Sequence, residues 1–365
     1  MPYVHNNQRR YAISRVAQAN YNTPTPPNVA APFNYVQLLL KDTPGQNFAN
    51  YGVRTQNNQG YSTGSDFATE QWLTAHDVDR QGMDFDLASE TIGRLLFYAL
   101  GSVATQSPAP GVYEHTFVPQ EPNAATRQLP SFSYLEQIGA EHDVLYPSCV
   151  IDTLSLSGDG LNRIMGSAGF RGSGKRVSPS GIDFATQTGL AENLNYLYNT
   201  QTFINIVPET GNGPGLVYEC DYNNFSFAVR NGLNPDSGYR PGCGNYQIGD
   251  DKTSGIVRSE MLFGQREIDF SFTVRLNQSS KEFQYLQTQR ILTGSISLTG
   301  ATISGAHKHS LNIWFDRVAV ETAVIGAETD NIVTLQVSLN PLVNPAVPSR
   351  AVQVRVKNTV ASYLV

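Results

Sequence analysis

The 365-residue chain is 40% hydrophobic but only 15% charged, with 25 Lys+Arg against 31 Asp+Glu and a formal net charge of −6. Globular domains average about 25% charged residues, so the surface is built from Asn, Gln, Ser, Thr, Gly and Tyr. A coiled coil and a charge-rich disordered chain are excluded, and the acidic balance argues against a protein that grips nucleic acid phosphates.

The length implies about two domains. Residues 1–32 carry Asn, Gln and Arg early, then Thr23-Pro24-Thr25-Pro26-Pro27, without apolar periodicity. Proline removes backbone donors, so this stretch reads as an extended N-terminal arm. Residues 33–190 read as a first β domain. Its helix, Ser89 to Leu100, puts Ile92, Leu95, Leu96 and Ala99 on one face and stops before Gly101. Residues 150–157 alternate apolar and small polar side chains, the period of a half-buried strand. A Gly/Ser-rich stretch at 166–190 and a linker at 191–215 then mark a domain boundary. Residues 216–347 read as a second β domain, with strand patterns at 268–274, 295–298, 310–315, 318–324 and 332–339. Its helix, at 279–292, opens with the capping-box pattern Ser279-Ser280-Lys281-Glu282 and puts Phe283, Leu286 and Arg290 on one side. Residues 348–365 form a C-terminal tail. The longest apolar run, 95–100, falls far short of the ~20 residues of a membrane helix. No basic n-region precedes an apolar stretch, so neither a membrane span nor a cleaved leader is expected.

The two helices sit in matching surroundings. Asp84-Phe85-Asp86-Leu87 precedes one and Asp269-Phe270-Ser271-Phe272 the other; Gly101-Ser102-Val103 and Gly294-Ser295-Ile296 follow them. His115-Thr116-Phe117 then matches His309-Ser310-Leu311, and Thr153-Leu154-Ser155-Leu156-Ser157 matches Thr334-Leu335-Gln336-Val337-Ser338. Earlier still, Phe33-Asn34-Tyr35-Val36 pairs with Phe225-Ser226-Phe227-Ala228. The conserved order reads as a tandem duplication of a strand–helix–strands unit.

Motifs for chemistry are weak. Gly169-Phe170-Arg171-Gly172-Ser173-Gly174-Lys175-Arg176 has P-loop spacing, but Arg176 stands where Ser or Thr must hold magnesium, and Val177-Ser178-Pro179 does not open a helix. It reads as a flexible basic loop. His307-Lys308-His309 puts two imidazoles on one side of a strand without completing a metal shell. His76-Asp77-Val78-Asp79 with Asp84 and Asp86 lacks the spacing of a calcium loop. Cys149, Cys220 and Cys243 read as three reduced thiols. No nucleophile elbow or activated cysteine is present, so no enzyme and no cofactor are expected.

A lysine-poor, β-rich chain with an arm fits an assembly subunit. Leu129-Pro130-Ser131-Phe132-Ser133-Tyr134-Leu135-Glu136, Tyr146-Pro147-Ser148-Cys149 running into 150–157, and Gly111-Val112-Tyr113-Glu114-His115-Thr116-Phe117 resemble tail tube proteins of tailed bacteriophages. So do 225–233, 264–272 and Leu311-Asn312-Ile313-Trp314-Phe315-Asp316-Arg317-Val318. The resemblance covers roughly 80–350. It implies a mainly β fold of sandwich or barrel domains, each with a flanking helix, and a structural virion protein of the tail. Rings of the chain would stack into a hollow conduit for genome delivery, with assembly in the host cytoplasm. It also implies an arm ordered by the adjacent ring, with Arg9, Arg10, Tyr11, Asp42, Asn47 and Tyr51 as candidate inter-ring contacts. The lumen would be acidic or neutral, so that DNA passes without being held; Asp84, Asp86, Glu267 and Asp269 are its candidate acids. Three two-domain chains, or six chains, would close a ring. Its partners would be further copies of the chain and tape measure, tail terminator and baseplate proteins. The rival readings are another virion component, such as a capsid decoration or baseplate protein, and a carbohydrate-binding β-sandwich, for which only Trp72 and Trp314 are available as platforms, Trp314 in a run that favours burial.

Overall fold

The computed structural model describes residues 9–19, 34–41, 54–56, 70–72, 78–120, 128–138, 142–177, 193–209, 216–218, 222–234, 246–248, 254–276, 282–327, 333–345 and 351–364, with residues 21, 23, 25 and 27 singly. The first strands are β1 (Arg9–Ser14), β2 (Tyr35–Leu38), β3 (Arg54–Gln56), β4 (Glu70–Trp72) and β5 (Val78–Asp86), followed by helix α1 (Ser89–Leu100). Next come β6 (Gly101–Ala109), β7 (Val112–Pro119), β8 (Phe132–Ile138), β9 (His142–Asp159), β10 (Met165–Gly172), β11 (Thr202–Pro208) and β12 (Leu216–Tyr218). β13 (Tyr222–Arg230), β14 (Leu233–Asn234), β15 (Tyr246–Ile248), β16 (Ser254–Ile256), β17 (Leu262–Phe263) and β18 (Glu267–Arg275) lead to a short helix, α2 (Glu282–Thr288). The last four strands are β19 (Leu292–Ser304), β20 (His307–Ala327), β21 (Val333–Leu342) and β22 (Gln353–Asn358).

Sixteen strands form one antiparallel sheet that folds into two layers. The first layer runs β5-β10-β9-β13-β18-β21-β20, and the second runs β12-β11-β19-β20-β22-β7-β6. Strand β20 belongs to both: it pairs with β19 and β22 toward its start, and with β21 from Arg317 onward. Alternation explains the layering. In β18, Phe270, Phe272 and Val274 are buried while Asp269, Ser271 and Thr273 lie on the opposite face. The core lies between the layers, where Phe315 stacks on Phe270 at 5.2 Å and meets Phe227 at 6.1 Å.

Helix α1 has the predicted bounds, and Gly101 ends it at φ 96° with its N–H bonded to the Phe97 carbonyl, a left-handed cap that glycine takes without strain. All twelve of its residues are buried, and it packs against β9, β7, β22 and β6. Helix α2 is shorter than 279–292; of its residues Glu282 and Tyr285 are fully buried, with Phe283 and Leu286 half-buried against the core.

The order β5–α1–β6–β7 in the first half returns as β18–α2–β19–β20 in the second; β8 then intervenes before β9, whereas β21 follows β20 directly. The halves nevertheless share one sheet: β9 pairs with β13, and β22 sits between β7 and β20.

Three segments read as peripheral are part of that body. In the arm, β1 lies between β8 and β2, and Tyr11, Ala12 and Ile13 are buried, because a strand this short reveals its partners only in three dimensions. The linker contains β11, with Ile204 and Ile206 in the core. The C-terminal tail contains β22, and Tyr363 beyond it is buried against α1. The P-loop-like stretch is no loop at its start: Gly169 to Gly172 lie in β10, with Phe170 fully buried.

Candidate functional site

The outward face of the first layer is the most ordered polar surface of the molecule. Cross-strand registers set Ser157 opposite Ser226, Ser226 opposite Ser271, and Ser271 opposite Ser338. This hydroxyl row continues through Met165 to Asp86 on β5 and through Thr322 on β20. The neighbouring row runs Asp84, Ser167, Ser155, Ala228 and Asp269. A third joins Gly169, Thr153, Arg230 and Glu267. Small side chains thus fill the middle of the face, with the charged residues toward its ends, a pattern a strand tolerates where the opposite face carries the packing. Here that face supplies Phe225, Phe227, Phe270, Phe272, Leu154 and Leu156.

All four candidate acids lie on this one face. Glu267 and Asp269 meet Arg230, which is 2.6 Å from Asp269 and 3.5 Å from Glu267. Asp86 is held by Lys41 at 2.7 Å and Arg163 at 3.0 Å. Burial raises the Asp86 carboxyl, but the hydrogen bonds and charges of Lys41 and Arg163 together outweigh it and hold the group below its ordinary range. Asp84 has no ion-pair partner among the described residues. Arg171 adds pairs to Asp79 and Asp152. Among the named groups acids outnumber bases, so the face is mildly acidic, with most of its charge taken up in ion pairs. Sequence reasoning missed Arg230 and Arg171 as partners, because cross-strand neighbours are distant in the chain. Arg266, the chain neighbour of Glu267, instead bonds the Asn231 side chain and the Gln120 carbonyl.

Of the candidate inter-ring contacts, Tyr11 is buried and stacked on Tyr134 at 6.2 Å, beneath the buried Arg80–Glu136 ion pair. Its ring is taken up inside the subunit. Arg9 and Arg10 are half-buried on β1, and Asp42, Asn47 and Tyr51 lie outside the described residues. His309 is buried, 2.9 Å from the Ser89 hydroxyl and 3.3 Å from Glu90, so it is spent on joining β20 to α1. No group of three or more His, Cys, Asp or Glu suited to a metal occurs among the described residues. Cys149 is a free thiol whose burial raises its pKa far above the ordinary range. No helix among the described residues is long and apolar enough to cross a membrane.

Fold and surface together define a mainly β structural subunit organised around one long antiparallel sheet. The chain belongs to the phage tail tube protein family, whose pattern matches residues 10–340. Among solved structures, a crystal structure of Hcp protein is similar over 38% of this chain and 85% of that one, at 15% identity and a TM-score of 0.22. No curated protein matches the sequence.

Proposed function

We propose that the chain is the major tail tube subunit, that three copies close a ring, and that stacked rings form the conduit through which the genome passes. The observation that carries this reading is the first layer itself. Its seven strands present a polar, mildly acidic and largely ion-paired face, and its two ends offer backbone edges. At one end, β20 beyond Val318 pairs, among the described residues, only with β21. At the other, β5 pairs only with β10 among the named strands, with a single bridge from Leu40 to Phe85 on its outer side. Exposed Val324 and Ile325 sit on opposite faces of the β20 overhang, an aggregation hazard for an isolated monomer and a contact for a neighbour. Adding a neighbour's strand satisfies these backbone groups.

The size of the resulting barrel supports three chains. With strands ~4.8 Å apart and tilted ~40°, seven strands from each of three chains close a barrel about 40 Å across. Six chains would double that. The smaller bore suits one DNA duplex, and the repeated β5–α1 and β18–α2 units would give the ring pseudo-sixfold symmetry. In this reading the tube joins tape measure, terminator and baseplate proteins in the tail.

Negative-stain electron microscopy of the concentrated protein, followed by helical reconstruction, tests the proposal. Hollow striated tubes with threefold rings are expected. Sixfold rings would overturn the stoichiometry, and solid fibrils or discrete non-annular complexes would overturn the tube.

A further inference from the structure

We propose that the groove centred on Trp314, on the outward face of the second layer, binds a neutral oligosaccharide. The proposal uses the tube reading only to place that face on the outside of the assembly. Phe270 and Phe315 stack across the core at 5.2 Å. Consecutive residues of a strand point to opposite faces, so Asp269 and Trp314 point away from each other. If Asp269 faces the lumen, Trp314 faces the exterior and is spared by both ring closure and stacking.

The groove encloses about 770 Å³. Trp314 is 47% exposed in it, although its strand-like surroundings favour burial. Register places Ser295 and Gln353 on either side of Trp314, and Ser297 and Arg355 on either side of Asn312 one row away. An exposed indole flanked by planar amides and hydroxyls is the chemistry that recognises a sugar: the ring's C–H face lies on the indole while vicinal hydroxyls exchange paired hydrogen bonds. The donors are partly fixed in advance. Arg355 donates to the Gln353 side chain at 3.3 Å, and Asn344 donates to Asp316 at 3.4 Å.

Other ligand classes fit less well. Among the described residues Trp314 is the one apolar side chain lining the groove, which leaves little seat for an apolar peptide or helix. Carboxylates from Glu209 and Asp316 accompany the single guanidinium of Arg355 in the lining, which disfavours a phosphate or another polyanion.

The test applies the intact protein, both as tubes and as unassembled subunits, to an array of bacterial surface polysaccharides and short glucans including maltohexaose and chitohexaose. Hits are titrated by tryptophan fluorescence. Saturable retention of at least one neutral glycan is expected, weakened about tenfold or more by Trp314→Ala and less strongly by Asn312→Ala. Melting temperatures should stay at that of the parent. Retention of no glycan overturns the proposal, as does equal retention by Trp314→Ala. Loss of tubes in Trp314→Ala also overturns it, because the groove would then be a contact between copies. Microscopy of the tubes and sugar retention by the free subunit report separately, so failure of either reading is distinguishable from failure of the other.

Discussion

Gly93 sits in α1 where the ring of Tyr363 crosses the helix; a Cβ there would lie 2.2 Å from the ring's Cζ. Tyr363 is fixed in place, donating from its hydroxyl to the Glu90 carbonyl at 2.9 Å and packing edge-on to His115 at 4.5 Å. Gly93→Ala therefore overpacks, at a cost of about 1–3 kcal/mol that exceeds the ~1 kcal/mol an alanine ordinarily returns in a helix. Denaturant unfolding should show the loss. In a Tyr363→Ala background the same substitution should become neutral or stabilising. His115 makes a second residue-scale prediction. Its Nε2 lies 2.8 Å from the Val360 carbonyl, which can only accept, so that nitrogen carries a proton; its Nδ1 lies 2.9 Å from the Thr105 hydroxyl, which donates to it when the ring is neutral. Burial lowers its pKa, only partly offset by the bonds to Val360 and Asn358. With the folded pKa below the unfolded ~6.5, the unfolded chain binds the extra proton first. Stability from this residue is then present above about pH 6.5 and is lost as the pH falls. Melting temperatures measured from pH 7.5 down to 5.5 should decline, and His115→Gln should decline less steeply.

At the scale of elements, the ends of the chain carry more of the fold than their composition suggests. Among the described residues the β6–β7 hairpin reaches the rest of the sheet through β22 alone, whose Val354 and Val356 are fully buried. Removing residues 353–365 should therefore leave an insoluble chain, whereas removing residues 1–8 should leave a soluble one. Removing 1–32 takes β1 with it and should lower the melting temperature of the subunit itself, where the arm reading expects only weaker stacking. The contrast shows which elements a single sequence exposes. Helix α1 was legible to the residue, since an apolar face and a terminal glycine are local signals, and the central strands were legible from their alternation. β1, β11 and β22 were not, because they lie in stretches whose proline, glycine and polar flanks read as arm, linker and tail, and they owe their place to partners far away in the chain. Helix α2 was overextended at its C-terminal end: the sequence pattern ran to residue 292, whereas the helix stops at Thr288 and Gln289 takes φ 48° just past it; the capping-box residues Ser279 and Ser280 lie outside the described residues.

For the whole molecule, the same distinction separates the acids from the hydroxyl rows. The acids could be named singly because they occur on strands leading into the helices, but a row such as Ser157, Ser226, Ser271 and Ser338 exists only once four strands take their register. In the proposed tube the row would line the bore. A duplex sliding past a wall is slowed by every basic group that displaces a counterion, whereas small hydroxyls and paired, mildly acidic groups offer it no cation to bind. Ser226 and Ser271 lie side by side on the face, the first exposed and the second half-buried, and neither packs into the core. Converting both to lysine should leave the core and the strand edges intact, so tubes should still form. Each tube would now carry repeated rings of cations along its bore. Purified tubes of the double variant should retain linear duplex DNA on a filter at low salt and release it as salt rises, with a steeper log–log slope than the parent. Virions assembled from it should eject DNA more slowly. Equal DNA retention by parent and variant tubes would mean that this face does not line the bore.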